Sequence, residues 1–182
     1  MIIVGLSGHA RSGKGSVVQL SQILIQKGDT EVEVRQVSFA TAVKETAIAQ
    51  GWNGQKDEEG RTILQDTGME KRKRNPNYWI EIALAKVAEI GLKSPKTKII
   101  FIPDCRFLNE ADAIKSIGGQ IWRVERYNVD GTLYDNGLTF EQKAHPSETE
   151  LDLYSFDLTI HSANMADLFD GVKKALAGLG LC

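Results

Sequence analysis

The apolar positions of this chain follow two rhythms. Ile2, Ile3, Val4 and Leu6 form a short run that reads as a buried strand, with Gly5 and Gly8 announcing a tight turn at its end. From Val17 the spacing changes to Val17, Leu20, Ile23 and Leu24, a helical repeat that stops before Lys27, Gly28 and Asp29. Val32, Val34 and Val37 predict a second strand whose slip from strict alternation fits a bulge or a frayed edge. Buried strands are predicted again at residues 98–102, 120–124 and 156–160, with helices over about 107–117 and 164–177. Strands that alternate with helices predict an α/β fold: a five-stranded, mainly parallel sheet covered on both faces and joined by right-handed crossovers.

Two segments stand outside that alternation. Residues 40–92 carry no strand pattern and predict successive helices at 42–49, 62–69 and 78–90, and residues 127–150 are turn-rich around Gly131, Asp135, Asn136 and Gly137. Both follow the C-terminal ends of strands, where open α/β sheets place their ligands. The expected organisation is one domain with a core of residues 1–39, 93–126 and 151–182, a helical substrate-side region of residues 40–92 and a lid-like segment of residues 127–150.

Composition narrows the setting. The chain has 182 residues, 22 Lys and Arg against 24 Asp and Glu, and a formal charge of −2, which disfavours a nucleic-acid polymer as partner. The basic run Lys71 to Arg74 reads as a solvated helix end or a lining for a smaller anion. No apolar run approaches a membrane span, and the opening lacks a signal-peptide pattern, so a cytoplasmic protein without a membrane partner is expected. Cys105 and Cys182 are far apart and suggest reduced thiols rather than a disulfide framework. A homodimer is left open by the sequence.

The chemistry concentrates in residues 8–16, where Gly8, Gly13 and Lys14 complete G-x-x-x-x-G-K and Gly15-Ser16 follow. Gly8 and Gly13 allow the loop N–H groups, including those of Arg11, Ser12 and Gly15, to turn around a phosphate, and the following helix points its positive end at the same place. Lys14 adds a charge able to follow the β- and γ-phosphates during transfer, so ATP is the expected ligand. The residue after the lysine is Gly15 and not Ser or Thr, which leaves Ser16 as the hydroxyl available to a phosphate or to Mg2+ through water. After the third strand, Asp104 is placed to hold Mg2+ or its waters, and Arg106 to grip a phosphate with its planar fork; a simple Asp–Arg salt bridge is the competing reading.

Other patterns carry less. Asp57-Glu58-Glu59-Gly60 matches the D-x-x-G of GTPase switches, but no strand precedes it and no guanine signature exists, so it reads as the acidic start of a helix. His9, His145 and His161 are dispersed and read as structural or loop residues. Trp52, Trp79 and Trp122 read as packing residues, with Trp79 or Phe39 as alternatives for flanking a nucleobase.

Several separated blocks together resemble the bacteriophage-type deoxynucleoside monophosphate kinase family. They are residues 5–14; Ser38-Phe39-Ala40 with Lys44; Leu64-Gln65 with Gly68 and Trp79; residues 103–111, which contain D-x-R-F-x-N-E; Gly118-Gly119 before Arg123; His145-Pro146-Ser147-Glu148; and then Leu151-Asp152 and Phe156-Asp157. The resemblance implies a P-loop NTPase three-layer fold with a helical acceptor-binding region and a closing lid. It further implies ATP and Mg2+ as cofactors and a phosphorylated small molecule, foremost a deoxynucleoside monophosphate, as acceptor. It matches Lys14, Arg106 and Arg126 to the transferred phosphoryl group, alongside Arg123, and Asp104 with Ser16 to the metal. It places Phe39, Lys44, Arg61, Gln65, Arg72 and Trp79 on the acceptor side with Arg106. The lid-like segment departs from arginine-rich lids, since Lys143 and His145 are its basic side chains before Glu148. The same P-loop, D-x-R and S-E-x-x-L-D order also resembles animal-type phosphomevalonate kinase, and more weakly dephospho-coenzyme A kinase. A noncatalytic nucleotide-binding module is the alternative from another class.

Overall fold

The strand runs pair side by side in the computed structural model of the chain, which describes residues 1–28, 31–55, 57–93 and 96–181 and leaves out the side chains of Glu58, Arg61 and Thr97. In chain order the elements are β1 (Ile2–Ser7), α1 (Lys14–Gly28), β2 (Val32–Gln36), α2 (Phe39–Ala49), α3 (Glu58–Arg74), α4 (Tyr78–Leu92), β3 (Thr97–Ile102), α5 (Leu108–Ser116), β4 (Gln120–Arg126), α6 (Phe140–Lys143), α7 (Pro146–Thr149), β5 (Leu158–Ser162) and α8 (Met165–Gly178). The strands lie in the order β2-β3-β1-β4-β5, and every pairing among them is parallel. The mainly parallel sheet of the sequence reading is thus parallel at every described ladder. An isolated antiparallel bridge, Tyr127 to Leu133, lies outside it.

The chain divides into two compact units, Met1–Gln36 with Pro95–Cys182, and Val37–Ser94. In the first, the pleat sends Val4 and Leu6, Ile99 and Phe101, and Trp122 and Val124 to one face, where Val17 and Ile25 of α1 and Leu168, Val172 and Leu176 of α8 cover them. On the opposite face α5 packs against β1 and β4 through Ala111 and Ile114. Burial on both faces explains why β1, β3 and β4 read as continuous apolar runs rather than as alternating ones. Gly5 makes the close approach of α5 fit: a β-carbon there would lie 2.8 Å from Ile114 Cδ1 and 2.9 Å from Ile121 Cδ1. At the sheet edge β2 is only half-buried, which accounts for its imperfect alternation.

In the second unit α2, α3 and α4 pack around Ala42, Val43 and Trp79, with Leu64 and Tyr78 alongside. The Trp79 indole donates to the Gly68 carbonyl at 3.0 Å, so even its polar atom is committed inside the unit. The acidic stretch before α3 is a helix start, as its composition predicts: the Asp57 carboxylate accepts from Gly60 N at 2.8 Å. Lys71, Arg72, Lys73 and Arg74 form the last turn of α3, where positive charge faces the negative end of the helix dipole. Among the described residues no helix is long and apolar enough to cross a membrane.

Candidate phosphate-binding site

Every central strand of the sheet delivers its C-terminal end to the same edge, and the loop after β1 turns there into α1. Backbone constraints shape this loop. Gly8 has φ 142°, and a β-carbon on it would lie 2.3 Å from the Val124 carbonyl oxygen, so no side chain fits. Gly13 has φ 103°. Arg11 takes φ 62°, the one positive value for a non-glycine among the described residues, and its guanidinium donates to the Asn136 carbonyl at 2.9 Å. Ser12 N donates to the His9 carbonyl at 3.2 Å, closing the turn, and the free N–H groups of the first turn of α1 follow it. Gly15 is exposed, and a β-carbon there would meet nothing within 4 Å, so its lack of a side chain answers no local crowding.

Lys14 folds back over the loop. Its Nζ donates to the carbonyls of Gly8 at 2.7 Å and His9 at 2.8 Å, and lies 3.4 Å from Ser12 Oγ. Burial lowers its pKa to about 8, and the positive charges of Arg106 and Arg123 act in the same direction, while Glu148 and Asp104 pull it back up. Arg106, Arg123, Asp104 and Glu148 thus all act electrostatically on one ammonium.

The turn after β3 is held by a buried carboxylate. Glu110 accepts from Arg106 N at 2.8 Å and from Phe107 N at 3.2 Å, which fixes the backbone of Arg106 at the start of α5. The side chain of Arg106 donates to Glu148 Oε1 at 2.6 Å. The other oxygen of Glu148 accepts from Ala10 N, in the middle of the phosphate loop, at 2.8 Å. Arg123, 5% exposed, donates to Asp152 Oδ1 at 2.8 Å and contacts His9 Nε2 at 3.0 Å. Because a guanidinium only donates, the His9 tautomer that fits has its proton on Nδ1. Arg126 is exposed and stacks over the Tyr134 ring with 3.9 Å between Cζ and the centroid. It lines a cavity of about 240 Å3 together with His9, Ala10, Ser12, Tyr134 and Asn136.

The structure therefore brings Gly8, Arg11, Ser12, Gly13, Lys14, Arg106 and Arg126 to one edge of the sheet, with Asp104 in the turn after β3 and Ser16 in the first turn of α1. Of the residues expected on the acceptor side, all but Arg106 fall in the helical unit. Phe39 is 2% and Trp79 1% exposed, so both are packing residues there and present no face to a base; the nucleobase alternative for them gives way to the packing one. Lys44 and Arg72 are half-buried and Gln65 is exposed, while the side chain of Arg61 lies outside the described residues. A groove of about 570 Å3 in this unit is lined by Trp52, Ile63, Asp66, Thr67, Glu70 and Lys73, a different stripe of α3 from that of Gln65 and Arg72.

Sequence reasoning did not find the anionic side of the site. His9, read as a structural or loop residue, touches Arg123, with Asp152 at 3.4 Å. Glu148 and Asp152 stood out as members of the H-P-S-E, Leu151-Asp152 and S-E-x-x-L-D patterns, without their partners, which lie far away in sequence. Cys105 is a buried free thiol whose pKa is pushed up by burial and by the nearby carboxylates, which makes it inert; Cys182 lies outside the described residues.

Among the described residues, no group of three or more His, Cys, Asp or Glu is placed to hold a metal ion. A hard cation shared between one carboxylate and substrate phosphates needs no such group, and the oxygen donors Asp104 and Ser16 suit Mg2+.

No family model matches the chain, and neither does any curated protein sequence. Among solved structures it is similar to shikimate kinase from Aquifex aeolicus, at 13% identity over 98% of this chain and 96% of that one, with a TM-score of 0.49. It is also similar to an APS kinase from Mycobacterium tuberculosis, at 12% identity over 98% and 96% of the two chains, with a TM-score of 0.46. Shikimate kinase from Bacteroides thetaiotaomicron gives 11% identity, 98% of each chain and a TM-score of 0.45. Identity this low assigns neither an activity nor a substrate.

Proposed function

We propose that the chain is a small-molecule kinase that transfers the γ-phosphoryl group of ATP to a phosphorylated acceptor, with a deoxynucleoside monophosphate as the acceptor class. The observation that carries the reading is the phosphate loop with its lysine, faced by an arginine from the end of the neighbouring strand, both already grouped around one anion. The nucleotide acceptor is supported by the D-x-R-F-x-N-E and H-P-S-E blocks in their order, together with Lys44 and Leu64-Gln65.

In this reading the loop N–H groups from residues 10–15 hold the β- and γ-phosphates, and the N-terminus of α1 adds its partial positive charge. Lys14 exchanges the Gly8 and His9 carbonyls for phosphate oxygens, which restores its full charge where negative charge builds during transfer. Arg106, held at its backbone by Glu110, bridges the donor and acceptor phosphates with its planar fork. Arg126 lines a cavity with His9, Ala10 and Ser12 of the loop and adds charge on the side of the lid-like segment. Asp104 and Ser16 are the residues that would hold Mg2+, which when bound neutralises the phosphate oxygens. The acceptor phosphate is already ionised at neutral pH, so the site needs no dedicated base. We assign acceptor recognition to Lys44, Gln65 and Arg72 of the helical unit.

The test is ADP release from Mg-ATP with each deoxynucleoside and ribonucleoside monophosphate in turn, and with phosphomevalonate and dephospho-coenzyme A as further acceptors. A response confined to one or a few deoxynucleoside monophosphates is expected. A response to phosphomevalonate alone moves the assignment to the second family, and ATP binding without any acceptor-dependent release leaves the noncatalytic module.

A further inference from the structure

Three of the groups that a triphosphate would use are engaged within this chain. Lys14 Nζ donates to the Gly8 and His9 carbonyls, Ala10 N donates to Glu148 Oε2 at 2.8 Å, and Arg106 Nη1 donates to Glu148 Oε1 at 2.6 Å. The Glu148 carboxylate thus sits between a loop N–H and an arginine, the two kinds of donor that a terminal phosphate uses. Its side chain is only 7% exposed, although α7, which carries it, has no buried residue. The segment is pinned at three points, because Glu150 Oε1 accepts from Leu108 N and Asp152 Oδ1 accepts from Arg123, each at 2.8 Å. Salt-bridged arginine and carboxylate pairs are common, but a carboxylate that also ligates a phosphate-loop N–H occupies the ligand's own position.

We infer that Glu148 is an internal stand-in for phosphate, displaced when the terminal phosphate of the nucleotide enters the loop, and that its displacement releases Arg106 to engage the phosphates. This rests on the kinase reading and deepens it by naming the residue that sets nucleotide affinity. A carboxylate and a phosphate cannot both take the single N–H of Ala10, since two anions on one hydrogen would be forced within van der Waals distance of each other. Nucleotide binding is therefore weakened by the fraction of molecules in which Glu148 holds the loop. It also moves residues 145–150, because Glu148 lies in α7 with His145 as its N-cap. Arg106 passes from one anion to another and is never left unpaired.

An alternative role is that Glu148 stays in place and positions Arg106 for the ligand, and the two roles predict opposite changes. Calorimetric titration of wild-type protein and Glu148→Gln with inorganic pyrophosphate and with ATP, without acceptor, separates them. Displacement predicts that Glu148→Gln binds both at least tenfold more tightly. Equal or weaker binding by the variant overturns the inference. A second measurement uses wild-type protein alone: hydrogen exchange of the peptide covering residues 144–150 is expected to quicken severalfold on addition of ATP, and unchanged or slower exchange overturns displacement. If neither pyrophosphate nor ATP binds to either protein, the phosphate-loop reading itself fails, and that result is distinct from equal binding by both.

Discussion

Lys14 offers a prediction whose magnitude follows from its surroundings. Burial, reinforced by the charge of Arg106, lowers its pKa from 10.5 to about 8 in the folded protein. Between those two values the unfolded chain binds more protons than the folded one, so stability rises with pH across this window. At about 1.4 kcal/mol for each tenfold change in proton affinity, the full gap is worth about 3 kcal/mol. Lys14→Met keeps the length of the side chain and removes the titrating group. Urea unfolding of both proteins at pH 7, 8, 9 and 10 then isolates the contribution, because the other titrating groups cancel in the difference. Wild-type stability is expected to gain on the variant by about 2 to 3 kcal/mol between pH 7 and 10. Parallel curves would refute the buried ammonium. A functional counterpart runs in the opposite sense: wild-type affinity for pyrophosphate declines above pH 8 as the free amine forms, and Lys14→Arg, which cannot deprotonate, removes that decline.

Other consequences are simpler to state. Arg106→Ala is expected to lower acceptor-dependent turnover by roughly 10²- to 10³-fold, the usual effect of removing one donor to developing charge, and wild-type rates in a steady-state assay would exclude Arg106 from the site. Gly8→Ala forces a β-carbon against the Val124 carbonyl, so ATP binding measured by calorimetry should be lost while Gly15→Ala, with open space around it, retains it. Trp79→Ala should destabilise the helical unit by about 3 to 5 kcal/mol in denaturant unfolding, as expected for a fully buried indole, and an unchanged unfolding midpoint would contradict its packing role.

What the sequence made legible was local. The strand, loop and helix of residues 2–28 announce themselves because spacing of apolar residues, glycine positions and the lysine all act within one short segment. Boundaries were less legible where polar contacts set them. The fifth strand, expected at 156–160, runs as Leu158–Ser162 because Asp157 turns its carboxylate onto Ile121 N at 2.7 Å and Phe156 lies against Arg123. The expected helix at 62–69 extends to Glu58–Arg74, since the Asp57 cap and a run of good helix formers decide its length and apolar spacing does not. Two helices of four residues each, α6 and α7, are too short to leave a periodic trace. Glu148 stood in the H-P-S-E block, but its contacts were not legible there, since they depend on Ala10 and Arg106, which are distant in the chain and brought to it only by the parallel sheet.

The central claim is transfer of a phosphoryl group to an acceptor rather than binding or hydrolysis of ATP, and phosphorus NMR of the full reaction tests it most directly. With Mg-ATP and the responsive deoxynucleoside monophosphate, the account predicts loss of the γ-resonance of ATP, matching growth of ADP and of the new nucleoside diphosphate, and little inorganic phosphate. Accumulation of inorganic phosphate with the acceptor unchanged would contradict it.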